Sequence, residues 1–166
     1  MGNAFHILVL LLVGGASACA GGRVSRGIFR KAEAAYRVID FSAWHPVSFR
    51  DNDLAFTDEK RRFLLGVNST CQGHKDAPLK ILTQDLLLGF EHRQLLGRRE
   101  LQIDRRAAMR SHFRAELDGV PVELDLTVLK KDGCVYDFIY VAPQGRLLER
   151  QRDYESLLRT FTTEVS

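Results

Sequence analysis

Few residue groupings in this 166-residue chain have the composition and spacing of a reactive site. Cys71-Gln72-Gly73-His74, followed by Asp76, places a thiol and an imidazole three residues apart. That spacing suits a metal corner or a cysteine nucleophile with its base. No second His or Cys pair stands at ligand spacing, and a thiol held in a disulfide has no thiolate to offer, so neither a metal site nor a catalytic group is expected. Asp118 and Asp132 precede glycines and read as turn formers. Asp137 interrupts an apolar strand, Val135 to Val141, and calls for a donor such as Thr127. Arg98, Arg99, Arg105, Arg106, Arg110 and Arg114 concentrate in one part of the chain. They lack the interleaved aromatic residues of a base-stacking surface. A solvated face of paired charges is therefore expected, with no nucleic acid partner. No glycine-rich phosphate loop, nucleophile elbow or zinc-protease helix is present, so no cofactor is expected.

The cysteine count bears on compartment. Residues 4 to 13 are almost wholly apolar and are followed by Gly14-Gly15-Ala16-Ser17-Ala18-Cys19. An apolar run of about ten residues before small ones is a signal pattern, too short for a spanning helix of roughly 20. Ala16-Ser17-Ala18-Cys19 resembles the bacterial lipobox, in which the cysteine is acylated and becomes the mature N-terminus. Ala16 stands where leucine is usual, and MGNAFH carries no Lys or Arg. Cleavage by an ordinary signal peptidase after Ala18 is the alternative. The expectation is a signal peptide at 1–18, a lipidated tether at 19–34 and one domain at 35–166; no charged side chain precedes Arg23, so the net charge of +3 belongs to the mature chain as a whole. In an oxidising envelope the remaining pair, Cys71 and Cys134, can close a disulfide.

The elements that must position these residues follow from periodicity. Strands are expected at 36–41, 47–49, 54–57 and 62–69. Then DAPLKILTQDLLLGF, residues 76–90, changes to a helical period through Leu79, Leu82, Leu86 and Phe90, with Asp76 as a candidate N-cap. Four more strands are expected at 97–103, 107–117, 120–130 and 134–142. Asp118-Gly119 fits a two-residue hairpin turn, which sets Phe113 against Leu124 and Met109 against Val128 on an apolar face. The other face then holds Arg114 with Glu123 and His112 with Asp125. Lys131-Asp132-Gly133 is read as a three-residue loop with a bulge, placing Tyr136, Phe138 and Tyr140 beside Val128, Leu126 and Leu124. A closing helix at 148–162 carries Tyr154, Leu157, Leu158 and Phe161 on one side.

This order of elements, together with GCVYDFIYVAP and a terminal helix, resembles the PsbP-like fold over residues 35–161. The resemblance implies an α+β domain, an antiparallel β-sheet packed with an internal helix and a C-terminal helix in an α/β/α sandwich. The PsbP-like proteins include extrinsic photosystem subunits and bacterial envelope lipoproteins. The resemblance brings no catalytic motif, and fold alone does not fix function. The expectation is a noncatalytic lipoprotein anchored by its acyl group, its domain facing the periplasm, serving as an accessory or assembly module for an envelope protein. The alternative is a carrier or sensor of a small apolar ligand, in a pocket beneath helix 76–90 lined by Leu86, Phe90, Phe113 and Tyr140.

Overall fold

The structure is a computed structural model that describes residues 22–37, 41–49, 52–73 and 77–164. The expected signal peptide, Cys19, His74 and Asp76 lie outside the described residues. Three short strands, β1 (Arg23–Ser25), β2 (Ile28–Arg30) and β3 (Ala35–Arg37), form a small antiparallel sheet. The strands β4 (His45–Val47), β5 (Leu54–Thr57), β6 (Leu64–Thr70), β7 (Glu91–Ile103), β8 (Arg106–Leu117), β9 (Val120–Lys131) and β10 (Cys134–Pro143) form a seven-stranded sheet. Its order is β4-β5-β6-β10-β9-β8-β7, with antiparallel pairing throughout. Helix α1 (Leu79–Asp85) packs on one face; a 3-10 turn (Leu147–Glu149), helix α2 (Gln151–Thr160) and the small sheet pack on the other. The architecture is the α+β arrangement expected.

Four hairpins close through two-residue turns whose central residues both have positive φ: Arg26-Gly27, Asp104-Arg105, Asp118-Gly119 and Asp132-Gly133. Such turns match the right-handed twist of the strands they join. At Asp118-Gly119 the register is the expected one, with Leu117 opposite Val120, Phe113 opposite Leu124 and Met109 opposite Val128. At Asp132-Gly133 it differs from expectation. Lys131 belongs to β9 and pairs with Cys134, so the loop has two residues and no bulge. Tyr136, Phe138 and Tyr140 therefore stand opposite Leu129, Thr127 and Asp125. Because side chains alternate faces, this one-residue slip moves all three aromatics to the other side of the sheet, where they pack with Tyr154, Leu157, Leu158 and Phe161 of the C-terminal segment.

The domain also begins earlier than residue 35. The segment expected to be tether contributes β1 and β2. Phe29 is buried with its ring centroid 4.9 Å from that of Tyr36, and Ala34 joins the same cluster. Lys31 Nζ donates to Asp53 Oδ1 at 2.6 Å, fixing β2 to the start of β5. At the other terminus, Arg37 N donates to Thr162 O and Glu164 N to Ala35 O, both at 2.9 Å, so β3 clasps the chain after α2.

Helix α1 is shorter than the apolar pattern at 76–90. After Asp85 the chain passes into turns bonded three residues apart, Leu87 N to Gln84 O and Phe90 N to Leu87 O. Gly89 ends the segment at φ +86°. Leu82 and Leu87 are buried and Leu79, Leu86 and Phe90 partly so, which preserves the expected apolar face without the full helical length. Strand β7 is longer than expected at its N-terminal end and has two register irregularities, between Glu91 and Gln94 and between Leu95 and Gly97.

A disulfide joins Cys71 to Cys134 at the ends of β6 and β10, closing a sequence separation of 63 residues. A loop of that length gives about 4 kcal/mol by chain entropy. Replacing both cysteines with serine should lower the denaturant unfolding free energy by that order while leaving the far-ultraviolet circular dichroism unchanged. An unaltered midpoint would show that the crosslink does not stabilise the fold.

Candidate functional site

On the α2 side, the centre of the large sheet carries a layer of buried charge. Glu123, Asp125 and Thr127 alternate along β9 with apolar residues and are all buried. Arg110 on β8, also buried, donates from Nε to Asp125 Oδ1 at 2.8 Å and from Nη2 to Asp125 Oδ2 at 2.5 Å. The guanidinium carbon lies 5.4 Å from the Tyr154 ring centroid, and Nη1 is 3.5 Å from Glu155 Oε1 on α2. Burial acts to lower the guanidinium's pKa, but the hydrogen bonds and charge of Asp125 outweigh it and raise it. Tyr154 OH hydrogen bonds with Thr127 Oγ1 at 2.8 Å and donates toward Phe138 O at 3.2 Å. Its hydroxyl titrates well above the ordinary range, chiefly through burial. Arg110 and Asp125 satisfy one another, as do Tyr154 and Thr127; Arg110 and Asp125 also line a concavity of about 330 Å³ with Arg98, Arg99 and His112.

The expected cross-strand partners are present in register, Arg114 with Glu123 and His112 with Asp125. Two of the charge contacts, Arg110 with Asp125 and His112 with Glu123, run diagonally, and Arg114 meets Glu123 directly across. Asp125 is taken by Arg110, and Glu123 receives both His112, with Nε2 at 3.7 Å, and Arg114, with Nη2 at 3.8 Å. Arg98 Nε donates to Ser111 Oγ at 3.0 Å. Of the six clustered arginines, Arg98, Arg110 and Arg114 have specific partners in place, Ser111, Asp125 and Glu123. The buried Arg110–Asp125 pair was not legible, because register sets Arg110 opposite Thr127.

Asp137 lies on the opposite face, the α1 side, between Val128 on β9 and Asn68 on β6. Thr127, the donor expected for it, points with Tyr154 instead, as the register at Asp132-Gly133 requires. The carboxyl of Asp137 is pushed up to about 7, first by burial and then by the charges of Asp85 and Asp53. Its neighbours in the sheet are one apolar and one amide side chain, so the register sets no acid, base or nucleophile directly opposite it.

The pocket expected beneath 76–90 is filled. Leu86, Phe90 and Phe113 meet in one apolar cluster with Leu87, Leu124 and Leu126. Tyr140 is on the other side of the sheet, its hydroxyl donating to Leu147 O at 2.8 Å and its ring stacked on Tyr154 at 5.6 Å. The open concavity lies farther along the same face as α1. It measures about 870 Å³ and is floored by Leu64, Val122, Val141 and Pro143, with Phe49, Leu117 and Val120 around it. Those last three are exposed. Arg61 and Arg62 also line it, carried on the β5–β6 turn.

That turn is stapled by Asp58, whose Oδ1 accepts the amides of Arg62 and, at 2.9 Å, of Phe63. Burial pushes the Asp58 carboxyl up, and the two amides and the Arg62 charge more than offset this, so it titrates below the usual range. Arg61 N donates to Asp58 O at 2.9 Å, with Arg61 held at φ +52°. Among the described residues no group of three or more His, Cys, Asp and Glu side chains is placed to hold a metal ion.

No family model and no curated protein matches the chain. Solved structures do match its fold. A cyanobacterial PsbP from Synechocystis superposes with a TM-score of 0.61 at 14% identity, covering 90% of this chain and 96% of that one. LpqN of Mycobacterium tuberculosis, described as involved in cell envelope biogenesis, gives 0.58 at 10% identity over 78% of this chain and 83% of its own. A Pseudomonas aeruginosa protein described as a putative regulator gives 0.53 at 14% identity, over 88% and 99%. The protein has a PsbP-like fold.

Two outcomes are expected from the buried charges. Arg110→Ala leaves Asp125 buried without its partner and should cost about 3 to 5 kcal/mol in denaturant unfolding, whereas Arg110→Met with Asp125→Leu should cost far less; equal losses would contradict this. For Asp137, the unfolded carboxyl ionises near 3.8 and the folded one near 7. The folded state therefore holds more protons between those values, and stability falls as pH rises through that window. Asp137→Asn should flatten the decline and gain up to about 4 kcal/mol above pH 7, read from thermal unfolding across pH.

Proposed function

We propose that this protein is a noncatalytic lipoprotein of the cell envelope, anchored through Cys19, whose domain faces the periplasm and acts as an accessory or assembly module by binding a protein of the envelope. The observation that carries the reading is the Cys71–Cys134 disulfide, a crosslink that belongs to oxidising compartments, in a chain whose N-terminal residues have the order of an acylated signal. No helix among the described residues is long and apolar enough to cross a membrane, in keeping with attachment through an acyl chain. The noncatalytic part is supported by the way the buried charges are spent on one another, Arg110 on Asp125 and Tyr154 on Thr127. LpqN, which shares the fold, is described as involved in cell envelope biogenesis.

A second reading, carriage of a small apolar ligand, is favoured by the concavity bounded by Leu64, Val122 and Val141. It replaces the filled space beneath α1 as the place where such a ligand would sit.

Expressed in a bacterial host, the full chain should partition into the detergent phase and yield an N-terminal peptide bearing lipid mass on Cys19, and Cys19→Ser should lose both properties. A wild-type protein recovered in the aqueous phase with an unmodified Cys19 would refute the anchor. Turnover in a broad hydrolase screen that disappears in Asp137→Asn would refute the noncatalytic part.

A further inference from the structure

The sheet face beneath α1 is covered at one end and bare at the other. Leu82, Leu86 and Leu87 cover Val128, Leu126 and Leu124, whereas beyond them Val122 and Val141 floor the open trough. In strand order the trough runs from Thr57 on β5 across Leu64, Val141 and Val122 to Leu117 on β8. Four strand spacings make that roughly 19 Å, a length that suits an extended aliphatic chain better than a compact ring. Exposed Phe49, Leu117 and Val120 gather along it, and a concentration of apolar surface of this kind marks a place of contact.

The charges at its two ends differ. At the β5–β6 end, Arg62 is 3.4 Å from Asp58 and lies over the Phe63 ring. The Arg61 guanidinium has no hydrogen-bond or ion-pair partner among the described residues. The Asp58 staple and the left-handed backbone at Arg61 fix the turn that carries this side chain. The acidic residue lining the trough, Asp118, is on the β8–β9 hairpin, beyond β9. From β6 to β9 is two strand spacings, roughly 10 Å. An apolar floor thus ends at an unpaired guanidinium on one side and at a carboxylate well away on the other. A guanidinium matches a carboxylate head group through paired hydrogen bonds.

We propose that this trough binds a long-chain fatty acid, its aliphatic chain lying across β6, β10 and β9 and its carboxylate paired with Arg61. The site deepens the reading of the protein as a binding module and is independent of the Cys19 anchor.

The test uses envelope membranes from cells expressing the full chain, labelled with palmitate carrying a photoreactive diazirine in its chain, followed by peptide mapping. Label should fall on peptides holding Leu64, Val122 or Val141, be displaced by palmitate, and be displaced poorly by hexadecanol. Arg61→Ala should lower the labelled fraction about tenfold, the loss of one charge-assisted pair. Val120→Glu, an exposed position in the trough, should lower it as well, and both variants should keep the disulfide and the protease resistance of the wild type. Label scattered over the chain, equal displacement by hexadecanol, or undiminished labelling of Arg61→Ala would overturn the proposal. Absent label together with a specific envelope protein recovered by cross-linking would overturn the fatty-acid site and leave the binding-module reading standing. Absence of both would overturn both.

Discussion

The register of three long strands governs everything else in this fold. Strands β8, β9 and β10 are joined by Asp118-Gly119 and Asp132-Gly133, and each turn places both of its residues at positive φ. Glycine takes that conformation at no steric cost, and aspartate tolerates it better than most residues. Once the two turns close, parity assigns every side chain to a face. Leu124, Leu126 and Val128 go under α1; Tyr136, Phe138 and Tyr140 go under α2. Moving Lys131 from strand to loop would reverse β10 as a whole. It would turn three aromatics away from Tyr154 and Phe161 and bring Asp137 under α2.

The two faces use burial differently. The α1 face buries mainly aliphatic side chains, with Asp137, Asn68 and Ser111 the polar residues among them, and its core depends chiefly on desolvation. The α2 face combines an aromatic cluster around Phe161, with Tyr136 and Phe138 edge-on to it at 5.1 and 4.8 Å, with the Arg110–Asp125 pair beside Tyr154. A buried ion pair contributes little net stability against a hydrophobic substitute, but breaking it is costly. Its effect is to penalise arrangements that separate α2 from the middle of the sheet. Arg110 then joins β8, β9 and α2 through one guanidinium.

Charge in the rest of the molecule has the same local character. Asp58 shapes the β5–β6 turn, Asp104 accepts the Thr163 amide at 2.9 Å, and Asp53 receives Lys31 and Tyr36. Asp58 acts within its own turn, and Asp53 and Asp104 act as fasteners between chain segments distant in sequence. The Arg61 guanidinium, which has no such fastener among the described residues, stands where the apolar sheet is uncovered.

Local sequence determined the strands from Leu54 onward, the apolar side of α1, the first hairpin register and the pairing of the two cysteines, because each rests on alternation, turn chemistry or residue count. The same Asp-Gly signal stood at Asp132-Gly133, but a preceding lysine can end a strand or begin a loop, and local propensity does not choose between them. The choice is made by tertiary packing: Tyr136, Phe138 and Tyr140 find an aromatic layer only on the α2 side. Phe29 was hidden for a similar reason, since a single aromatic among charges and glycines gains its burial from Tyr36 and from the core, neither of which is adjacent in sequence. The candidate site was the least legible part. Leu86, Phe90 and Phe113 do meet, but as a closed core, and an opening such as the one beside Arg61 depends on where the covering helix stops. That limit is set by how far α1 extends over the sheet, a property of the assembled layers and of no single stretch of residues.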